Sequence, residues 1–504
     1  MIRGGAAIRP GFPLRSTRSV ASVYLLAAFT CVVFSLFVVA SSKIGILLHL
    51  TIALAVACLL VTVALYRPAI GIPATFVYLV VMTFLRRLLI PASGWISFDP
   101  MLLVGYLTAT VLIIKFCFFD RRPFAPDLLS KLVLALAVLT ALQVVNPTGA
   151  GFKANLVGLL YMAAPLLWYF VGRAAVDDAL SDRLCGMVVI LGVLVAAYGL
   201  YQTQVGDPSW DLNWLNTTGG YASLNVGDTI RAFGPFSSSS EYTLFVGSGL
   251  AIAFAYFLRG HPVALLATPL LAVALFLGSG RSSLITAFTA IVVMLALKPR
   301  RPVLALVITL CTVGAAFGAL TALGSTLSGT ASGSSSLVGH QLGGLSDPLN
   351  PNSSTLLVHI TLVGTGFKSG FTHPEGKGPG ETNQAAGLNQ QQSATQETQA
   401  TEVDISNAFV SLGIVGGLLY FWMVLLILWK AVRSYFLGRE AALPVIGLLI
   451  VGAGQWLIGG AYALSPLTWV LIGSIAAGSV GLKSRAEAAK RTGGAQRDGF
   501  ARAV

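Results

Sequence analysis

The chain has 504 residues, of which 55% are hydrophobic and only 10% are charged. A water-soluble protein carries about a quarter charged residues, so this composition excludes a soluble globular domain. The 32 basic residues outnumber the 19 acidic ones, but the excess follows the loops between apolar segments, which is typical of membrane orientation rather than of nucleic-acid binding. We therefore predict an all-α, polytopic integral membrane protein.

Apolar runs of roughly 18 residues or more predict about 14 transmembrane helices. Residues 1–18 form a basic arm, and the apolar stretch that follows is too long for a typical signal peptide, so we interpret it as a retained first helix. The predicted spans lie, in chain order, at 19–40, 44–65, 69–90, 101–119, 128–145, 155–172, 184–203, 241–258, 263–279, 282–298, 303–323, 406–430, 442–461 and 466–482.

Two long connections fall on the same predicted side of the bundle, at 204–240 and 324–405. The second is polar and low in complexity over 380–402, where we expect partial disorder. About three-quarters of the 32 basic residues fall on the opposite side, which the positive-inside bias makes cytoplasmic. The expected units are therefore a cytoplasmic arm 1–18, a bundle formed by 19–323 and 406–482, an external loop 324–405, and a cytoplasmic tail 483–504.

The cysteines give no sign of redox or zinc chemistry. All of them lie inside apolar runs, and none forms a CxxC pair or has the Cys/His spacing of a metal site. We interpret them as small core residues and expect no metal or other cofactor. They are Cys31, Cys58, Cys117, Cys185 and Cys311.

Several cations are expected on the external side, against the general bias. Each alone is equally well explained by snorkelling, in which the side chain reaches lipid headgroups from a helix end. Charges at membrane depth otherwise face a partner or a water-filled cavity. Because cations recur on the side that should be poor in them, we predict an external anion-binding site. The cations are Arg86, Arg87, Arg231, Arg281 and Lys368.

The segment GSGRSS, residues 278–283, is the main candidate for that site. It opens a helix whose N-terminus faces outward, and the dipole and N–H groups of a helix N-terminus favour anions. Its glycines permit close approach of the backbone. Ser282 or Ser283 can cap the helix, and we assign Ser282 to the ligand site. The guanidinium of Arg281 can bind phosphate through two parallel hydrogen bonds, so we expect a phosphate or diphosphate ligand.

A second segment, TIRAFGPFSSSSEYTLF at residues 229–245, has a related composition. Four serines and Glu241 lead into the outward N-terminus of the next span, and serines in that position are most often helix caps. Arg231 stands before them. We interpret it as a second anion contact or as a group that orients the substrate.

Asp404, His359 and His373 are the candidate catalytic residues of the external loop. Asp404 leads directly into a late span, where helix capping explains it as well as catalysis does. A loop histidine usually faces solvent, but two of them near Lys368 are candidates for a general base or a substrate ligand. The surrounding residues 355–370 fit either an interfacial helix on the outer leaflet or packed loop structure.

These pieces occur in an order that resembles the O-antigen polymerase and ligase superfamily of bacterial membrane glycosyltransferases. RAFGPFSSSSEYTLFVG precedes a span, GSGRSSLI stands at a hairpin, HPEGKGPG lies in a large external loop, and ISNAFVSLGIVGGLLYF enters a late span. The resemblance covers roughly residues 229–425. It implies a GT-C-like bundle in the cytoplasmic membrane that takes a glycan from undecaprenyl diphosphate at the outer face. Arg231 and Arg281 would contact the diphosphate, and neither a nucleotide sugar nor a metal is implied.

One position departs from the family pattern. Ser406 precedes Asn407 where members commonly have a histidine before the asparagine. The missing histidine leaves the role of base to Asp404, His359 or His373, or to a different mechanism in this subgroup.

The function that the resemblance implies is polymerisation of lipid-linked polysaccharide repeat units, as in O-antigen or exopolysaccharide synthesis. Ligation of the glycan to another acceptor is the near alternative. A transporter or flippase is an alternative of another class, and it predicts ionisable residues or broken helices within spans; a non-catalytic scaffold is a third. Expected partners are the undecaprenyl-diphosphate-linked oligosaccharide, membrane lipid, a chain-length regulator and other polysaccharide-assembly proteins, and no nucleic acid.

Overall fold

The computed structural model describes most of the predicted bundle. The predicted first span, most of the predicted span 303–323, the low-complexity residues 383–402 and both charged ends lie outside the described residues. The described residues are 44–96, 99–120, 127–149, 151–218, 225–226, 229–301, 303–304, 307, 310–311, 337–347, 349–350, 354–382, 403–457 and 462–478.

The regular secondary structure of these residues is helical, apart from one short antiparallel hairpin. The hairpin pairs β1 (Asn225–Val226) with β2 (Thr229–Ile230). The helices are α1 (Ile44–Tyr66), α2 (Pro68–Ser93), α3 (Val104–Ile114), α4 (Leu128–Leu142), α5 (Phe152–Ala175), α6 (Asp178–Val205), α7 (Ser209–Thr218), α8 (Ser239–Leu258), α9 (Thr268–Leu277), α10 (Arg281–Leu297), α11 (Leu337–Ser346), α12 (Leu356–Thr372), α13 (Asp404–Phe436), α14 (Ala442–Val451) and α15 (Leu464–Gly478). Short 3-10 or π-helical turns extend α3 to Pro100–Phe119 and α4 to Val145.

The predicted all-α, multi-pass architecture is confirmed by eight described helices that are long and apolar enough to cross a membrane. They are α1, α2, the extended α3, the extended α4, α5, α6, α8 and α13. Four shorter apolar segments accompany them, at Pro262–Leu277, Arg281–Leu297, Ala442–Val451 and Leu464–Gly478. The total of 14 spans and the GT-C-like arrangement stay predictions.

Helix boundaries coincide with residues that satisfy the unpaired N–H groups of a first turn. Asp127 accepts a hydrogen bond from the Ser130 N–H at the start of α4, and Asp177 accepts one from the Leu180 N–H at the start of α6. Ser238 accepts one from the Glu241 N–H at the start of α8, as expected for a serine cap.

The centre of the bundle is α8. Most of its side chains are buried because it packs against α6, α9, α10 and α14. Helix α6 approaches it closely where Gly192 faces Gly249, since neither residue has a side chain to separate the two backbones. Small residues at such crossings strengthen packing in lipid, where the hydrophobic effect does not drive helices together.

The helices alternate in direction, so their connections sort into two ends of the bundle. One end, here called the basic end, is held by ion pairs that link distant helices. We call the opposite end the loop end; it holds residues 93–96, 99–100, 206–218, 225–226, 229–238, 278–283 and 373–382 and the start of α13. The ion pairs of the basic end are Arg173–Asp127, Lys430–Asp127, Arg259–Asp182, Arg439–Asp178 and Arg300–Glu440.

Helix α13 is broken close to the loop end. Gly413 has φ 69° and ψ −167°, which interrupts the helix, and the loop after α12 docks there. The N–H groups of Lys377 and Gly378 donate to the carbonyls of Val410 and Ser411, both at 2.9 Å. The remaining part, 414–436, is about 35 Å long at 1.5 Å per residue, enough to cross a bilayer core alone. The break therefore lies near one membrane surface and not at mid-depth.

A fully buried ion pair ties three helices and the segment before α8 together at the loop end. Arg87 of α2 contacts Asp211 of α7 at 2.8 Å, and neither side chain is exposed. The same guanidinium donates to the carbonyls of Gly234 and Phe236, just before α8. It also lies 4.7 Å from the ring centroid of Trp214. The carboxylate in turn accepts bonds from Tyr198 and Gln202 of α6.

Removing the acid of this pair should destabilise the protein strongly. Asp211→Ala leaves a buried guanidinium without its carboxylate, which costs about 3–5 kcal/mol. Arg300→Ala is the matched control, because Arg300 and Glu440 are each nearly half exposed and such pairs contribute at most about 1 kcal/mol. Unfolding of each variant in mixed detergent micelles measures the difference. Equal stability of the two variants would contradict the structural role of the buried pair.

Candidate functional site

The structure brings together the two arginines that stand at the starts of α8 and α10. Arg231 lies between β2 and α8, and its Nη1 is 3.5 Å from the carbonyl oxygen of Ser279. Arg281 is the first residue of α10. Burial and the neighbouring charge of Arg281 lower the pKa of Arg231. Two motifs about 50 residues apart in the sequence thus place two half-buried guanidinium groups within electrostatic range of each other.

The turn before α10 is held against the first turn of α8. A Cβ added to Gly280 would lie 2.5 Å from Oγ1 of Thr243, so only glycine permits this approach. Thr243 also shares a hydrogen bond with Ser283, at 3.0 Å. Ser279 has φ 55°, a left-handed conformation that non-glycine residues adopt only at a cost of about 1 kcal/mol or more. We predicted that the glycines let the backbone approach a ligand closely. At Gly280 this close approach is instead made to α8.

The predicted serine cap of α10 is wrong. Gly280 is the N-cap residue and has no side chain with which to cap. Ser283 is buried and bonded to Thr243, whereas Ser282 is exposed. The N-terminus of α10 therefore has no serine cap and can still interact with an anion, and Ser282 stays a candidate contact.

A helix that sequence reasoning left without a role covers this turn. Gln341 of α11 is fully buried, and its Oε1 lies 3.4 Å from Oγ of Ser279. The guanidinium of Arg281 lies against Gly344, where an added Cβ would overlap its Cζ atom. A short signal was present in the sequence, because the apolar residues Val338, Leu342 and Leu345 recur at helical spacing.

Arg86 and Arg87 lie at the loop end but bind the protein's own groups. Arg86 contacts Asp99 at 2.7 Å, donates to the carbonyl of Ile96, and lies over the ring of Trp95. Arg87 is held by Asp211 and two carbonyls, as described above. Both side chains are almost completely buried. A ligand could reach them only by displacing these contacts, so the structure gives them a role in packing and places neither with the arginine pair.

Two loop-end carboxyl groups have shifted pKa values of opposite sign. Burial alone would raise the pKa of Asp99, but bonds from His49, Arg86 and the Met101 N–H lower it. Burial and the neighbouring Asp211 carboxylate raise the pKa of Asp207 to about 6. Asp99 is therefore a structural anion, whereas Asp207 changes charge close to neutral pH.

Asp404 is a buried structural contact. Its Oδ2 accepts bonds from the Tyr420 hydroxyl at 2.9 Å and from the Leu457 N–H at 2.8 Å. Its own N–H donates to the carbonyl of Gly454. The predicted capping role is wrong, because the N-cap residue of α13 is Val403 and Asp404 is the first residue of the helix. Asp404 instead joins the start of α13 to the turn after α14.

His359, His373 and Lys368 lie on α12 or at its end. His359 contacts Thr355 at 3.0 Å, and His373 lies 3.6 Å from Glu375. Lys368 is exposed. Among the described residues, no hydrogen bond or ion pair joins any of these three side chains to the arginine pair.

The alternative left open for residues 355–370 is answered in part. They form most of helix α12, which packs on α13 through Gly370, whose backbone closely approaches Phe409. The other face of α12 exposes apolar side chains such as Leu357 and Ile360. The segment is thus a packed helix with an exposed apolar face.

Glu241 is a buried acid that sequence reasoning did not select. It is 3% exposed, and the main-chain N–H groups of Tyr462 and Ala463 lie beside its carboxylate. These groups precede α15, so the acid sits where a helix N-terminus favours negative charge. Residues two positions apart in an α-helix point about 200° apart around its axis. Glu241 and Thr243 are related in this way, so Glu241 faces away from Thr243 and the arginine pair.

Asp404 variants should separate its packing role from its charge. Asparagine keeps an oxygen that can accept from Tyr420 and Leu457, so Asp404→Asn should unfold within about 1 kcal/mol of the wild type. Asp404→Ala leaves a buried N–H without an acceptor and should cost about 2–3 kcal/mol. Unfolding in mixed micelles gives both values. An alanine variant as stable as the asparagine variant would contradict the contact with the turn after α14.

Chemically, the loop end offers cationic and polar groups suited to an anion. No group of three or more His, Cys, Asp or Glu side chains that could hold a metal ion occurs in the described part of the chain. In comparisons with known proteins, no family model matches the chain, and no curated protein or solved structure is significantly similar to it. The arrangement of these residues is thus the basis on which a function can be assigned.

Proposed function

We propose that the chain is a membrane glycosyltransferase that polymerises saccharide repeat units carried on undecaprenyl diphosphate. The observation that supports this most is the meeting of Arg231 and Arg281 in front of the N-terminus of α10. A diphosphate carries two phosphoryl groups, and two guanidinium groups beside a helix N-terminus suit it through charge and paired hydrogen bonds.

The reaction would be a displacement at the anomeric carbon of the lipid-linked glycan. An oxygen of the acceptor glycan attacks that carbon, and the bond from the carbon to the diphosphate breaks. The bonding electron pair stays on the phosphate oxygen, so negative charge accumulates on the leaving diphosphate. Arg231 and Arg281 would stabilise that charge as it develops.

The proton of the acceptor hydroxyl requires a base, and the candidates remain Asp404, His359 and His373. Their surroundings differ. Asp404 is buried and already accepts two bonds, whereas His373 is exposed at the end of α12 and lies near Glu375. The contacts of Asp404 favour the histidines, and loss of activity in the stable Asp404→Asn variant would favour Asp404 instead.

In this proposal the loop end faces the outer side of a bacterial cytoplasmic membrane, and the basic end faces the cytoplasm. The clustering of Arg173, Arg259, Arg300, Lys430 and Arg439 at one end supports this orientation through the positive-inside bias. Ligation of the glycan to a different acceptor would use the same donor contacts, so it stays the near alternative.

One observation favours the transporter alternative. It predicts a broken helix, and α13 is broken at Gly413. The break lies near one surface, however, and the loop 374–382 fills it with main-chain hydrogen bonds such as Gly378 to Ser411. This geometry favours a structural junction over a site that alternates between the two sides of the membrane.

Arginine variants test the transferase. Arg281→Ala and Arg231→Ala should each lower polymer formation by roughly 10²-fold or more, because each removes a group that stabilises the leaving diphosphate. Arg300→Ala removes an exposed arginine at the basic end and should leave the rate unchanged. Purified variants in liposomes are supplied with a diphosphate-linked repeat unit, and product length is measured on gels.

Two outcomes would reject the proposal. Wild-type polymer yield from Arg231→Ala and Arg281→Ala would remove the diphosphate site. Movement of the lipid-linked unit across the bilayer without any lengthening would assign the wild-type protein to the flippase class.

A further inference from the structure

We infer that helix α11 completes the anion site, and that the side-chain amide of Gln341 donates a hydrogen bond to the phosphoryl group held by Arg231 and Arg281. The inference rests on the phosphate site of the proposed function, but it does not depend on sugar transfer. It gives a binding role to residues 337–346, which lie in the long loop between α10 and α12.

Gln341 is a buried donor in need of an acceptor. Its side chain has no exposed area, and its Nε2 has no hydrogen-bond partner among the residues that the structure describes. Buried amide groups are nearly always bonded, and leaving one unbonded costs about 1–3 kcal/mol. A ligand oxygen at this position would satisfy the donor.

The position of the amide links it to the arginine pair. Its Oε1 accepts from the hydroxyl of Ser279, at 3.4 Å, and the carbonyl of that same residue faces Nη1 of Arg231. The next residues of the turn are Gly280 and Arg281. One short turn thus holds the amide and both guanidinium groups at the same place in the fold.

Gly344 supplies an independent geometric argument. The guanidinium of Arg281 occupies the space where any side chain at position 344 would begin. A methyl group there would push the guanidinium aside while favouring the helix, because alanine is a better helix former than glycine. Its neighbour Gly343 has nothing within 4 Å of an added Cβ. Gly344→Ala and Gly343→Ala are therefore a matched pair: both add one methyl group to α11, but only Gly344→Ala displaces the guanidinium of Arg281.

The chemistry of these groups favours a phosphoryl ligand. Arg231 and Arg281 supply positive charge, and the amide of Gln341 supplies a neutral donor. A tetrahedral phosphate presents several oxygens in different directions and can accept from all three groups. The phosphoryl group could belong to a lipid diphosphate or to free pyrophosphate, and the two sources differ in the hydrocarbon chain.

Direct binding tests the inference without any assay of polymerisation. The full chain is purified in lipid nanodiscs, and its affinity is measured for undecaprenyl diphosphate and for inorganic pyrophosphate. Gln341→Met removes the donor with little change in shape, and we expect roughly 10-fold weaker binding, the loss of one hydrogen bond to a charged group. Gln341→Glu should weaken binding further by repulsion. Gly344→Ala should also lose at least about 10-fold, whereas Gly343→Ala should bind like the wild type.

The outcomes separate this inference from the proposed function. If Arg281→Ala loses binding but Gln341→Met and Gly344→Ala keep wild-type affinity, the role of α11 is rejected and the arginine site stands. If the wild-type protein binds neither probe, both are rejected. If undecaprenyl diphosphate binds more tightly than pyrophosphate, the site recognises a membrane-borne phosphate. If the two bind equally, the site recognises the phosphoryl groups and not the hydrocarbon chain. Unfolding curves that match the wild type show that each variant is folded.

Discussion

The arrangement of the two arginines depends on the close packing of the turn 278–283 against the N-terminal part of α8. Gly280 lets the backbone touch Thr243, and Ser279 adopts a left-handed conformation to allow it. This packing fixes where Arg281 starts its helix and sets it beside Arg231. Two like charges repel each other, and they do so more strongly when half-buried than in water. A fold that holds them together gains stability from an anion placed between them.

The same end of the bundle shows how differently buried arginines can be used. Arg86 and Arg87 lie next to each other on α2; Arg86 contacts Asp99, 13 residues further along the chain, and Arg87 contacts Asp211, 124 residues away. Their aromatic neighbours, Trp95 and Trp214, further fix the guanidinium groups. Arginines of this kind fasten loops to helices. Cations on the predicted external side therefore include both kinds of arginine, and the packing around each guanidinium separates them.

The sequence predicts the eight long apolar helices because the bilayer imposes one strong rule, a long apolar run for every crossing. It also selects Arg231 and Arg281, because both fall on the side that the orientation bias predicts to be external and poor in cations. Contacts between distant residues leave no such pattern. The pairing of Arg87 with Asp211 joins residues 124 positions apart, and the amide of Gln341 meets Ser279 across 62 positions. The break at Gly413 coincides with a loop from outside α13 that bonds to the carbonyls of Val410 and Ser411, and the sequence of α13 alone resembles a continuous helix.

In the proposed function, the arginine pair at the loop end holds the phosphates of a lipid-linked glycan. An experimental density map of the protein in nanodiscs with undecaprenyl diphosphate shows where the diphosphate binds. We expect phosphate density within hydrogen-bond distance, about 3 Å, of the guanidinium groups of Arg231 and Arg281. Diphosphate density at the basic end, or at the loop end but away from both arginines, would contradict it.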